Sequence, residues 1–129
     1  MPLVKISILR GRSLADKKAV LDAVHSALVD AFSIPAMDRN QRLLEYDPDN
    51  FEIPPGKSDN YVLVELTVFP GRSKEAKRRL YQFIVKNLVD LDIDPNDVFI
   101  VLYEPPLENW GIRGGIPATE IDFGFNIKV

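Results

Sequence analysis

Two segments of the chain alternate apolar and polar residues with the period of a half-buried β-strand. The first runs through Val4, Ile6 and Ile8, and the second through the even positions from Val62 to Val68. Such alternation predicts a strand with one face in the core. After each segment come a glycine, a serine suited to an N-cap, and apolar residues at helical spacing, which together predict a helix.

The two halves repeat each other sixty residues apart. Leu3, Val4, Gly11, Arg12, Ser13, Lys17, Leu28, Val29 and Asp30 recur as Leu63, Val64, Gly71, Arg72, Ser73, Lys77, Leu88, Val89 and Asp90. A period this long indicates two supersecondary units and not a solenoid. Two βα units could also resemble each other because they obey the same rules, but the repeated Gly-Arg-Ser favours duplication. We expect one domain over residues 1–129, with pseudo-repeats at about 2–46 and 61–103.

A proline-containing turn and an extended stretch follow each helix. These stretches are Gln41–Tyr46 and Asp97–Tyr103, and the latter is expected to be the more buried of the two. The predicted fold class is α+β: a duplicated β-α-β fold with a mixed four-stranded sheet and two helices on one face. The turn-rich stretch 47–60 should connect the repeats at the surface. Residues 104–129 are expected to form a C-terminal loop or hairpin, with a loop over 104–118 and a short strand or hairpin over 119–128. The sheet face away from the helices also carries apolar residues, which predicts an oligomer.

Composition narrows the chemistry. Among 129 residues there are no cysteines and one histidine, so disulfides, thiolate zinc sites, cysteine nucleophiles and multi-histidine metal sites within one chain are excluded. We expect no metal and no other cofactor. A net charge of −3 disfavours nucleic acid as a partner. A signal peptide and an apolar run of about 20 residues are not apparent, so no membrane partner is expected and the predicted compartment is the cytoplasm.

The first candidate reactive group is the amine of Pro2. A small residue after Met1 permits removal of the initiator methionine, which would leave Pro2 as a secondary amine. A free α-amino group titrates near ~8 in peptides, and an apolar pocket with nearby cations would lower that pKa. Such an amine can act as general base, general acid or nucleophile. A Met-Pro start taken alone favours the alternative, a proline that simply begins an exposed terminus. Direct continuation into a core strand strengthens the reactive interpretation, because it would fix Pro2 at an end of the sheet.

The second candidate is the Gly-Arg-Ser turn before a helix, where backbone N–H groups and the helix dipole favour an anion. In the second copy Arg72 adds a guanidinium suited to a carboxylate, and Ser73 stands beside it. The alternative is an ordinary capped helix with a solvated arginine. The first copy offers the same chemistry through Arg12, and the sequence does not choose between the copies.

Further candidates lie in loops and on the first helix. Asp38 follows a helix-ending proline and could orient a water or a substrate, or could hydrogen-bond its own turn. Trp110 with Ile112, in a glycine- and proline-rich loop, could wall a small pocket or anchor the core. His25 is interpreted as structural or exposed and not as catalytic.

Taken together, these residues resemble the tautomerase superfamily and, within it, the malonate semialdehyde decarboxylase-like group. The resemblance covers nearly the whole chain, and its specific parts are a Pro-Ala-x-Asp-Arg-x-Gln element and an Asn-Trp pair. The stretches that carry it are Met1-Pro2-Leu3, Gly11-Arg12-Ser13, Asp22 to Phe32, Ile34 to Gln41, Gly71-Arg72-Ser73 and Glu108 to Gly111. The resemblance implies a homotrimer with Pro2 at the base of each pocket, Asp38 as the group's aspartate, and Trp110 with Ile112 as a wall.

The group's pattern has an Arg-x-Arg, whose second arginine matches Arg72, whereas Pro70 occupies the first position. We therefore expect keto–enol tautomerisation of small 2-oxo acids, with Pro2 as general base and acid and Arg72 holding the carboxylate. One alternative is a decarboxylase-type lyase or hydratase acting on 3-oxo acids. Another, from a different class, is a non-catalytic module that binds a small ligand. The expected partners are the oxo-acid substrate and further copies of the chain.

Overall fold

The computed structural model describes residues 2–129. The long elements are β1 (Leu3–Leu9), α1 (Leu14–Phe32), β2 (Gln41–Tyr46), β3 (Val62–Thr67), α2 (Lys74–Val89) and β4 (Val98–Tyr103). Two short strands follow, β5 (Gly111–Ile112) and β6 (Ile116–Pro117). This order confirms the predicted β-α-β repeats, with β2 at the predicted bounds and β4 beginning one residue later.

The four long strands form one mixed sheet in the order β2-β1-β3-β4. The outer pairs are parallel, and the central pair, β1 with β3, is antiparallel. In that central pair Lys5 opposes Glu65. These two residues are also related by the sixty-residue repeat, so an approximate twofold axis passes between them. The axis relates the two halves and places their equivalent turns at opposite ends of the sheet.

Alternate strand residues pack against both helices on one face of the sheet. Ile6 in β1 and Val64 in β3 are fully buried there, together with Leu28 of α1 and Leu80 of α2. The helices also contact each other, since Nδ2 of Asn87 donates to the Ala23 carbonyl at 3.0 Å. The predicted single core with two helices on one face is therefore confirmed.

Both predicted N-caps are present. The Ser13 hydroxyl accepts from the N–H of Asp16, and the Ser73 hydroxyl accepts from that of Ala76, each at 3.1 Å. Each bond satisfies an N–H group that the first helical turn leaves without an intrahelical partner.

The short strand or hairpin expected over 119–128 does not form, so that prediction is wrong. Residues 118–120 form a single 3₁₀ turn, and residues 121–129 continue without regular structure across the start of α2. Local side chains explain this, because the carboxylate of Asp122 accepts from the N–H of Gly124, and the amide oxygen of Asn126 accepts from that of Lys128. Such bonds compete with strand pairing. The hairpin in this region is instead β5 with β6.

The other sheet face is open and partly apolar. On β4, predicted to be the more buried extended stretch, Phe99 is 52% exposed and Tyr103 is 47% exposed. Leu63 of β3 lies beside Phe99 on the same face and is half-buried. Within residues 2–129, neither long helix combines the length and the apolar composition needed to cross a bilayer.

Candidate active site

The antiparallel register of β1 and β3 brings Pro2 to the second Gly-Arg-Ser turn. Leu3 opposes Thr67, so the start of β1 lies beside the end of β3. Pro2 is buried at this end of the sheet, next to the chain that leaves β3 and reaches Arg72 five residues after Thr67. Met1 lies outside the described residues. The fold thus places Pro2 at the same end of the sheet as Arg72, a choice that the repeated sequence left open.

The first Gly-Arg-Ser turn lies at the opposite end of the sheet. There the guanidinium of Arg12 donates to Oδ1 of Asn60 at 3.2 Å, in an exposed setting. A Cβ built on Gly11 would meet nothing within 4 Å. This turn is an open surface feature and is distant from Pro2, because β1 separates them along its full length.

Arg72 is an enclosed cation and not a solvated one. It is 7% exposed, its Nη1 donates to the Phe69 carbonyl at 3.1 Å, and its guanidinium lies 4.8 Å from the centre of the Phe32 ring. Its Nε is buried without a hydrogen-bond partner in residues 2–129. Burial lowers the pKa of Arg72, while the carboxylates of Glu104 and Asp38 act in the opposite direction. Arg72 remains charged, and its buried Nε is a donor whose hydrogen-bonding capacity is not met within residues 2–129.

A second cation and its partner lie near Arg72. Nζ of Lys77 on α2 is 2.6 Å from Oε1 of Glu104, which follows β4. Both side chains are about three-quarters covered. The positive charge of Lys77 therefore offsets the negative charge of Glu104. As a result, Glu104 neutralises less of the positive charge on Arg72.

The loop between α1 and β2 is braced so that Asp38 has a defined place. Nε2 of His25 donates to the Ala36 carbonyl at 2.7 Å. The guanidinium of Arg39 donates to the carboxylate of Asp22 at 2.8 Å, and the amide of Gln41 donates to the carbonyl of Leu21 at 3.1 Å. His25 is buried and structural, in line with its interpretation from sequence. The polar residues around Asp38 thus hold its loop onto α1.

Asp38 lines a cavity of about 290 Å³. The other lining residues are Pro35, Met37, Arg113, Phe123 and Phe125. The N–H of Asp38 donates to the Pro35 carbonyl at 3.0 Å, which closes the turn that brings the residue to the cavity. The cavity therefore combines one carboxylate, one guanidinium and an aromatic wall beside the Arg72 charge.

Trp110 and Ile112 belong to a small apolar cluster centred on Phe69, next to the start of β1. The indole ring meets the Phe69 ring edge-on at 4.7 Å, and its Nε1 donates to the Pro105 carbonyl at 3.1 Å. Trp110 is an anchor in this structure and does not line the Asp38 cavity. It is connected to that cavity through Phe69, whose ring lies 4.7 Å from that of Phe123.

Ser73 is fully occupied by backbone contacts. Its hydroxyl accepts from Ala76 and donates to the Val129 carbonyl at 2.8 Å, while its N–H donates to the same carbonyl at 3.4 Å. In this arrangement the side chain acts as a cap and as a tie to residues 121–129.

The cavity contains three residues that sequence reasoning missed, Arg113, Phe123 and Phe125. Phe123 and Phe125 are two positions apart in a stretch that the sequence predicted to be a strand. Nothing in that pattern distinguishes residues that line a cavity from residues on one face of a strand. In the sequence Arg113 resembles a solvated residue of a glycine-rich turn, and only the fold shows that it lines the same cavity as Asp38.

Two β-α-β units share one sheet through an antiparallel pair of central strands, and a buried proline and a buried arginine lie at one end of it. This architecture is that of the tautomerase fold class. The chain belongs to the tautomerase family. A family model described as tautomerase enzyme matches residues 38–113, and a second with that description matches residues 2–58. The chain is therefore an enzyme of the tautomerase type, which favours catalysis over the non-catalytic ligand-binding module.

Comparison with individual proteins supports the same family. The chain is 26% identical over 121 residues to the probable tautomerase YusQ of Bacillus subtilis strain 168, covering 89% of this chain and 95% of that protein. It is 35% identical to malonate semialdehyde decarboxylase in a crystal structure, with a TM-score of 0.80 over 87% of this chain and 92% of that one. A fused 4-OT solved as a symmetric trimer is 28% identical, with a TM-score of 0.80 over 91% and 96%. The resemblance to the tautomerase superfamily, with malonate semialdehyde decarboxylase-like relatives, is confirmed.

Proposed function

We propose that this enzyme is a keto–enol tautomerase of small 2-oxo acids that uses the amine of Pro2 as general base and acid. The observation that carries the proposal is the register of β1 and β3, which sets buried Pro2 at the same end of the sheet as buried Arg72. The proposal requires that Met1 be removed, so that Pro2 presents a secondary amine.

In the proposed reaction the neutral amine of Pro2 accepts the proton of the enol hydroxyl and returns it to the adjacent carbon. The proton removed and the proton delivered balance, so no co-reactant is needed. Burial and the nearby guanidinium of Arg72 both disfavour the protonated amine, which is the condition for a base that works near neutral pH.

Arg72 holds the substrate carboxylate in this proposal. Its Nε is the buried donor without a partner among residues 2–129, and an anion there would satisfy it. Ser73, expected from the sequence to bind substrate, supports the arginine indirectly by capping α2 and tying it to Val129. Asp38 orients the polar end of the substrate, while Trp110 and Ile112 keep water from this end of the sheet.

Decarboxylation of a 3-oxo acid is the second candidate, favoured by the 35% identity to malonate semialdehyde decarboxylase. In that reaction a protonated Pro2 would polarise the aldehyde carbonyl, or the neutral amine would condense with it to an iminium ion and release water. The bond to the carboxylate then breaks with loss of carbon dioxide, the resulting enol or enamine takes up a proton, and water hydrolyses the iminium where one was formed. Pro70 in place of an arginine removes one cation from the expected pattern, which is why tautomerisation is preferred.

We also propose that the enzyme is a homotrimer joined through the open sheet face. The support is the partly exposed apolar surface of Phe99 and Tyr103, together with a similar fused 4-OT that is a trimer. An exposed apolar sheet face of this kind is typical of an interface between copies.

The test begins with the intact mass of the native protein, which must lack Met1. Phenylenolpyruvate ketonisation and malonate semialdehyde decarboxylation are then measured for the native enzyme and for Pro2→Ala. We expect ketonisation to fall at least 100-fold in the variant, the range for loss of a general acid–base group. Retained Met1, or equal rates in the two proteins, would refute the role of Pro2. Decarboxylation that depends on both Pro2 and Arg72 would favour the lyase.

A further inference from the structure

Arg113 occupies an unusual backbone position on the wall of the Asp38 cavity. It has a φ of 48° at the tip of the β5–β6 hairpin, followed by Gly114 and Gly115 with φ values of 82° and 92°. Glycine adopts these angles without strain, whereas a side chain there costs energy. Strained residues of this kind cluster at ligand-binding sites, so the side chain of Arg113 is a candidate for a role in the cavity.

The guanidinium of Arg113 is available to a ligand. Within residues 2–129 it makes no hydrogen bond or ion pair, whereas Arg10 and Arg39 are paired with carboxylates at 2.9 Å and 2.8 Å. Arg113 is exposed and faces a cavity whose other charged residue is Asp38. Phe123 and Phe125 add apolar surface to the same cavity, suited to the carbon skeleton of a small acid.

We propose that Arg113 binds the carboxylate of the oxo-acid substrate at the mouth of the Asp38 cavity, as the second cation that Pro70 does not provide. This inference rests on the proposed function and adds a residue to it. Arg72 is fixed inside by Phe69 and Phe32, and Arg113 approaches the same anion from the hairpin. A guanidinium can donate two parallel N–H bonds to a carboxylate, which a lysine cannot.

The test measures binding without requiring any reaction. The non-reactive acid 3-phenylpropanoate and its neutral amide are titrated into the enzyme, and binding is followed by isothermal titration calorimetry. The variants are Arg113→Gln and Arg113→Lys. Arg79→Gln is the matched control, since Arg79 is an exposed arginine on α2 without a hydrogen bond or ion pair to the described chain.

We expect the native enzyme to bind the acid saturably and Arg113→Gln to bind it about tenfold more weakly, the loss expected for one charge-assisted hydrogen bond. Arg113→Lys should lie between them, and the amide should bind the native and Arg113→Gln proteins equally. In the ketonisation assay Arg113→Gln should raise KM with kcat within about twofold, the signature of uniform binding.

Equal acid binding by Arg113→Gln and Arg79→Gln would overturn the inference, as would the absence of saturable acid binding by the native enzyme. These outcomes are separate from failure of the proposed function, which is detected by full activity in Pro2→Ala. Because the binding assay does not use the amine, Pro2→Ala should bind the acid like the native enzyme.

Discussion

Gly71 and Gly11 occupy equivalent turns in the two repeats, and their replacement by alanine isolates the effect of residues 121–129. Both have a φ of 122°, so a Cβ is equally strained in either position. At Gly71 that Cβ would lie 3.2 Å from the Ile127 carbonyl oxygen and 3.2 Å from Cγ of Lys128, whereas at Gly11 it would meet nothing within 4 Å. The two variants therefore differ chiefly in this contact.

The shared backbone strain is on the order of 1–3 kcal/mol. Replacing glycine by alanine also lowers the conformational entropy of the unfolded chain, which stabilises both variants equally, by roughly 0.4–1 kcal/mol. Gly71→Ala must in addition compress the contact with Ile127, or displace the segment and lose the bonds from Ser73 to Val129. Either route costs about 1 kcal/mol more, from overpacking or from a lost hydrogen bond.

Urea denaturation followed by circular dichroism measures both free energies of unfolding. We expect Gly71→Ala to be less stable than Gly11→Ala by about 1 kcal/mol, which corresponds to roughly 4 °C in Tm for a chain of this size. Equal destabilisation would show that residues 121–129 do not rest on Gly71 in solution. A larger loss in Gly11→Ala would show that the open turn is covered by something outside this chain.

Two further predictions concern the connecting segment and the open sheet face. The buried carboxylate of Asp97 accepts from the hydroxyl of Ser58 at 2.5 Å and from its N–H at 2.8 Å, which lowers its pKa. The contribution of Asp97 to the free energy of unfolding is therefore fully present above the pKa of a carboxyl group in the unfolded chain, about 3.9. It is lost as the pH falls through the lower pKa that Asp97 has in the folded protein. Asp97→Asn should lower the free energy of unfolding by about 1–2 kcal/mol in urea titrations at pH 7, and this free energy should then fall less steeply below pH 4 than in the native protein. A variant whose stability falls as steeply as that of the native protein below pH 4 would contradict this. Phe99→Arg should shift sedimentation from trimer toward monomer, with Arg79→Gln as control, and a native profile would contradict the proposed interface.

The secondary structure was largely predictable because its signals are local. Period-two alternation locates β1 and β3, and the serine caps locate the starts of α1 and α2 within a turn or less. The expected strand over 119–128 failed for an equally local reason. Alternating apolar residues were present there, but Asp122 and Asn126 bind the adjacent backbone and divert it.

The candidate site was only partly predictable. Pro2, Asp38 and Arg72 could be named from their residue types and their neighbours along the chain. Trp110 and Ser73 were expected from the sequence to contact the substrate. In the structure their side chains instead hydrogen-bond to the carbonyls of Pro105 and Val129. No periodic pattern in the sequence reports such contacts.

By itself, the sequence determined that the chain is duplicated, that each half is β-α-β, and that its reactive groups are few. Those properties follow from periodicity, capping and composition, which act over one or two turns of chain. Only the tertiary structure decided which of the two identical Gly-Arg-Ser turns lies at the same end of the sheet as Pro2, and that Arg113 and Asp38 line one cavity. The physical reason is that strand register and hairpin placement arise from long-range packing and hydrogen bonding, whereas both turns carry the same local chemistry.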